Sequence, residues 1–182
     1  MIRATFRRLT SRLSRFSRSE EGSGTVEFAI TFPAMLLFML SGVELGMITL
    51  QHSMLERAMD LTVRDIRLGT GAVLQHDDIK DTICARAGFI ADCSENLHLE
   101  MIQVDPRDWA DIPATPTCTD QSEEVAPVVN FVNGQENELM ILRACAKISP
   151  VFPTTGLGKN VTKDGAGQFA LVSISAFVQE PR

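Results

Sequence analysis

Residues 28–50 read FAITFPAMLLFMLSGVELGMITL, and Glu44 is the only charged residue among them. As an α-helix, which rises about 1.5 Å per residue, this run reaches roughly 34 Å and can cross a hydrocarbon core about 30 Å thick. The apolar region of a secretory signal is shorter, about 7 to 15 residues, and ends at a cleavage site of small residues. We therefore predict a retained transmembrane helix. Ser41-Gly42 keeps open the alternative that the segment is removed by cleavage there.

The residues before this run are rich in arginine and contain no acidic residue before Glu20: Arg3, Arg7, Arg8, Arg12, Arg15 and Arg18. Arginines next to a membrane span stay on the cytoplasmic side, because their transfer across the bilayer is costly and opposed by the membrane potential. We predict a cytoplasmic Arg-rich leader (residues 1–22), a transmembrane helix (23–50) and a periplasmic domain (51–182), with a single pass through the inner membrane. A transit peptide is the alternative interpretation of the leader, but such peptides are not normally followed at once by a span.

Two carboxylates lie at the ends of the apolar run. Glu27 precedes it and Glu44 lies near its outer end. An ionisable side chain near the bilayer is costly, so each is a candidate functional residue whose partner must be named. For Glu44 a side chain that reaches the outer lipid headgroups is an equally good interpretation. For Glu27 the candidate partner is the α-amino group that cleavage after Gly22 would create on Ser23 of a neighbouring subunit.

The segment around Glu27 resembles a known family. Gly22, four further residues, Glu27 and an apolar helix resemble the processing site of type IV prepilins. The fuller string GTVEFAI at residues 24–30, with Pro33, resembles the TadE-like minor pilins of the tight-adherence (Tad, Flp) pilus system. The resemblance implies that a membrane-embedded prepilin peptidase cuts after Gly22, and that Glu27 supports cleavage or subunit registration. The C-terminal residues 175–181, SAFVQEP, also resemble the ends of such chains.

All four cysteines follow the apolar run: Cys84, Cys93, Cys118 and Cys145. The predicted topology places them in an oxidising compartment, where disulfides persist. Four cysteines allow three connectivities. We favour Cys84–Cys93 and Cys118–Cys145, because each closes a local segment, and the other two pairings remain open. No CxxC is present and the three histidines are scattered, so we predict no metal site.

The pattern after the apolar run predicts an α+β domain. Apolar residues continue at helical spacing to Ile66, which indicates one helix from about Thr25 to Leu68. A helix is predicted at Asp77–Ile90, and an irregular proline-rich loop at Asp105–Asp120. Three strands are predicted, at Leu97–Val104, Glu138–Ile148 and Gln168–Gln179. We expect the strand at Leu97–Val104 to be half-buried, with Leu97, Leu99 and Met101 inward. The predicted fold is pilin-like: a long N-terminal helix, transmembrane and then amphipathic, packed on a small antiparallel sheet.

The charge and the motifs argue against several functional classes. The chain has 17 basic and 23 acidic residues, net −6. Residues 1–21 hold six basic and two acidic residues (+4), so the remainder carries −10 and does not favour nucleic acid. No HExxH or GxSxG motif is present, and Gly158-Lys159 is followed by Asn160 where a phosphate loop has Ser or Thr.

We predict a minor pilin or pseudopilin without enzyme activity, cofactor or metal. Its expected partners are the inner membrane, a prepilin peptidase and other pilus subunits. Two alternatives remain open: an uncleaved, membrane-anchored periplasmic assembly or binding factor, and a secreted disulfide-bonded enzyme released near Ser41-Gly42.

Overall fold

The computed structural model describes residues 23–68, 75–107, 113, 115–123 and 130–181. The predicted leader, including Gly22, lies outside the described residues. The chain divides into two compact units, Met1–Leu40 and Ser41–Arg182, and the second is called the C-terminal unit below.

A single helix, α1, runs from Ser23 to Leu68 over 46 residues, which confirms the long N-terminal helix predicted from the sequence. Pro33 lies inside it. Within the C-terminal unit, α1 buries a row of side chains that recur every three or four positions: Leu55, Ala58, Met59, Thr62, Val63 and Ile66. This spacing places them on one helical face, so the outer part of α1 is amphipathic as expected.

Three antiparallel strands form one sheet in the order β1-β2-β3: β1 Leu97–Val104, β2 Leu139–Ile148 and β3 Phe169–Val178. In the register, Leu97 lies opposite Ala146, and Leu139 lies opposite Val178. One face of the sheet joins the hydrophobic core with α1 and α2, through Leu99, Leu142, Phe177 and their neighbours on that face. The α+β architecture and the small antiparallel sheet agree with the prediction.

Three shorter helices complete the fold: α2 His76–Ala87, α3 Cys93–Asn96 and α4 Gly156–Asn160. Gly88 ends α2 in the left-handed conformation, with φ +63°, and its N–H donates to the carbonyl of Cys84. Glycine favours this conformation at helix ends because it lacks a Cβ. No helix was predicted from the sequence over the residues of α4.

The expectation that β1 is half-buried was wrong. Its outward residues His98 and Glu100 are buried as well as its inward ones. Pro113 and residues 115–118, called the covering segment here, lie against the outer face of the sheet beside Glu100. Thr117 N–H donates to Glu100 at 3.2 Å, and the Cys118–Cys145 disulfide joins the segment to β2. The other disulfide, Cys84–Cys93, joins α2 to α3, so both bonds have the pairing that the sequence favoured.

Candidate functional site

Two of the proposed processing residues, Ser23 and Glu27, lie in the first described turn or two of α1. Glu27 is exposed. The Thr31 hydroxyl donates to the backbone carbonyl of Glu27 at 2.9 Å, a bond within the helix that leaves the Glu27 side chain uninvolved. Within residues 23–68 and the other described ranges, the Glu27 carboxylate has no ion pair or hydrogen bond. It is therefore available to a group outside these residues.

The helix around Glu27 presents large apolar side chains to its surroundings. Phe28 is 60 % exposed, Ile30 70 % and Phe38 80 %. The most apolar 18-residue window of α1 has a mean hydropathy of 1.8, and none of it is buried. Apolar area left in water costs about 25 cal/mol per Å², so this surface requires an apolar environment. By length and composition, α1 could cross a membrane.

The second carboxylate, Glu44, has a different environment. Its side chain is 1 % exposed. Val151 N–H donates to its Oε1 at 3.0 Å, and Phe152 N–H donates to its Oε2 at 2.8 Å. Bonds from N–H groups to an ionised acceptor are about twice as strong as neutral ones. The carboxylate therefore holds residues 150–160, called the clamp loop here, against α1. The Glu44 side chain does not extend to the lipid headgroups, which was one interpretation of the sequence.

Gly158 packs closely against both Phe152 and Glu44. A Cβ at this position would lie 2.5 Å from the Phe152 carbonyl oxygen and 3.2 Å from Glu44 Cδ. Only glycine fits without moving the backbone of the loop. Sequence reasoning missed this site, because Glu44 and Val151 are 107 residues apart and no local pattern connects them.

Residues 22–64 match the family model described as TadE-like protein. This segment of the chain is therefore similar to TadE-like proteins. The match covers GTVEFAI and Pro33, so the resemblance inferred from those residues is confirmed. A TadE-like match implies a component associated with the Tad pilus. No curated protein and no solved structure matches the chain.

The residues that the structure describes contain no group of three or more potential metal ligands. His98, a titratable residue with a shifted pKa, lies on the outer face of β1. Burial lowers the pKa of the His98 imidazole below its ordinary 6.5. The negative charge of Glu100 opposes this shift, while the nearby His76 and Lys80 reinforce it. His98 Nε2 is buried and accepts or donates no hydrogen bond within the described residues.

His98 gives the C-terminal unit a pH-dependent stability. In the unfolded chain His98 takes up a proton near pH 6.5, whereas the folded state takes it up only at lower pH, so acidification favours unfolding. We expect the melting temperature of the full chain in detergent to fall between about pH 7.5 and about pH 5.5, the interval around the unfolded pKa. His98→Gln should reduce this fall. For each protein, the melting temperature at the lower pH is subtracted from that of the same protein at the higher pH. A loss of stability that is equal at both pH values therefore does not affect the comparison. An equal fall in both proteins would contradict the assignment.

Proposed function

We propose that this chain is a minor pilin or pseudopilin of Tad pilus assembly, anchored once in the inner membrane by α1 and processed after Gly22 by a prepilin peptidase. The observation that carries the proposal is the spacing of the N-terminal motif. Four residues separate Gly22 from Glu27, an apolar helix follows, and the TadE-like match spans residues 22–64.

The proposed mechanism is structural. The exposed apolar part of α1 keeps the subunit in the bilayer, with the arginine leader in the cytoplasm and residues 51–182 in the periplasm. Cleavage after Gly22 creates a positively charged α-amino group on Ser23. The Glu27 carboxylate of a neighbouring subunit pairs with that amine. Because an unpaired carboxylate in lipid is costly, packing in any other register is disfavoured.

The processing step is tested by measuring the intact mass of the full chain from cells with and without the peptidase. We expect the mass to correspond to a chain that begins at Ser23 only when the peptidase is present. Gly22→Leu should keep the leader, because the peptidase recognises a small residue at the cut. Gly24→Leu is the matched control, since a Cβ at Gly24 meets no atom within 4 Å and the variant should fold and be cut.

The N-terminus also separates the alternatives. A chain that retains its leader in cells that contain the peptidase would be an uncleaved, membrane-anchored factor. A chain that begins beyond Gly42 would be a secreted protein. Either result removes the processing step from the proposal.

A further inference from the structure

We propose that the clamp loop, residues 150–160, lies against the outer surface of the bilayer that α1 crosses, so that the protein contacts the membrane at a second site. This inference rests on the proposed membrane-spanning role of α1. It concerns the C-terminal unit alone, because Glu44 and the clamp loop both belong to that unit.

The first argument is the level of the loop along α1. The clamp loop is fixed to Glu44, and the helix on either side of Glu44 exposes apolar side chains: Val43 is 47 % exposed, Leu45 57 % and Leu50 54 %. The next acidic residue is Glu56, twelve residues or about 18 Å further along the helix. The loop is therefore attached at the level of the apolar surface of α1, where lipid replaces water.

The second argument is the chemistry of the loop surface. Val151 is 48 % exposed, and Phe152 and Leu157 are half-buried. Residues 149–163 contain two lysines and no acidic residue, although residues 22–182 carry a net charge of −10. Lys163 is occupied, since its ammonium donates to the carbonyls of Pro153 and Gly158, whereas Lys159 is exposed. Apolar side chains beside a cation are the combination that binds at the headgroup level of an anionic membrane.

The third argument explains why a carboxylate is buried here. Near hydrocarbon, backbone N–H groups have no water to bond, and each unsatisfied group costs several kcal/mol. The N–H groups of Val151 and Phe152 both donate to Glu44. Glu44 thus satisfies the backbone at the loop tip, while the two N–H groups stabilise its charge. The clamp allows an irregular loop to lie where the solvent is lipid.

The test places tryptophan at positions of different depth in the full chain. Trp109 is the only natural tryptophan, so Trp109→Phe provides the background. Three variants are embedded in nanodiscs of phosphatidylcholine and phosphatidylglycerol whose acyl chains are brominated both near the headgroup and near the bilayer centre. Val151→Trp reports the loop, and Phe38→Trp reports the membrane helix.

Val178→Trp is the matched control. Val178 is 49 % exposed, against 48 % for Val151, but it lies at the far end of β3. There Arg67 Nη2 donates to Glu180 Oε1 at 3.0 Å, and Arg67 is 23 residues or about 34 Å beyond Glu44 along α1. We expect Val151→Trp to lose about half as much fluorescence as Phe38→Trp, and Val178→Trp less than about a tenth as much, because quenching by bromine requires contact with lipid.

A second change tests the clamp. Glu44→Gln keeps one acceptor oxygen but loses the charge and the second acceptor. In the Val151→Trp protein it should lower the quenching at least about twofold, because the loop is released from α1. The quenching of Phe38→Trp should not change. Equal quenching of Val151→Trp with and without the Glu44→Gln change would show that the carboxylate does not hold the loop at the membrane, and would overturn that part of the inference.

The outcomes distinguish this inference from the proposed function. If Phe38→Trp is quenched and Val151→Trp is not, α1 spans the bilayer and the clamp loop does not touch it. If neither is quenched, both the anchor and the loop contact are wrong. If Val151→Trp is protected from iodide in solution but not quenched by brominated lipid, a protein surface covers the loop, and the membrane contact is overturned.

Discussion

Replacing Arg143 with methionine is expected to lower the free energy of unfolding of the C-terminal unit by about 3–5 kcal/mol. The Arg143 side chain is 2 % exposed, and its Nε lies 3.4 Å from Glu100 Oε2 on the neighbouring strand. Methionine keeps much of the apolar volume but leaves the Glu100 carboxylate buried without its counter-charge. The substitution also removes the 2.9 Å hydrogen bond that Arg143 Nη1 donates to the carbonyl of Pro113.

The measurement is urea unfolding of the nanodisc-embedded full chain, followed by the infrared signal of the sheet under oxidising conditions. Arg67→Met is the matched control, because Arg67 pairs with Glu180 at 3.0 Å and both side chains are about half exposed. An exposed pair contributes about 1 kcal/mol or less. Adding Glu100→Gln to Arg143→Met should recover part of the loss, since it removes the stranded charge. Equal costs for Arg143→Met and Arg67→Met would show that the buried pair contributes no more than a surface one.

Arg143 and Glu100 matter because each holds part of the covering segment, Pro113 and residues 115–118, on the sheet. The segment bonds to Arg143 through Pro113, to Glu100 through Thr117, and to β2 through the Cys118–Cys145 disulfide. The disulfide fixes one end of the segment covalently, and the hydrogen bond from Arg143 to the Pro113 carbonyl holds the other end. An irregular, proline-containing segment buries little apolar area itself, so its position depends on these few contacts.

Most of the fold could be predicted from the sequence, because its elements have strong local patterns. The apolar run and the helical spacing that follows it predicted α1 to its last residue, Leu68, and the strand predicted at Leu97–Val104 has these bounds in the structure. The preferred disulfide pairing is the one formed, since both bonds close short segments. These features depend on neighbours in sequence, and hydrophobic periodicity reports such neighbours directly.

The remaining features could not be predicted, because they depend on contacts between distant residues. The contacts of Glu100 involve Thr117 in the covering segment and Arg143 on β2, and the role of Glu44 follows from a loop 107 residues later. A sequence shows that a carboxylate lies near an apolar run. It does not show which backbone groups the folded chain brings to it. The Glu27 site differs from both, because its pattern is local and its proposed partner belongs to another chain.

Glu27→Gln is expected to leave cleavage after Gly22 intact and to reduce incorporation of the subunit into Tad complexes by roughly 10²–10³-fold. In lipid, the loss of one partner from a buried charge pair costs about 3–5 kcal/mol, and each 1.4 kcal/mol is a tenfold change in association. Glutamine keeps the shape and the hydrogen-bonding capacity of the side chain, so the charge alone is tested.

The measurement combines the intact mass of the membrane-extracted chain with the amount of other pilus subunits that co-purify with it. Glu56→Gln is the matched control, because this glutamate lies on the same helix beyond the apolar run with its side chain 55 % exposed. If the Glu27→Gln chain is cleaved and assembles as well as Glu56→Gln, Glu27 does not set the register between subunits. In that case α1 would associate with its neighbours without a negative charge opposite the α-amino group of Ser23.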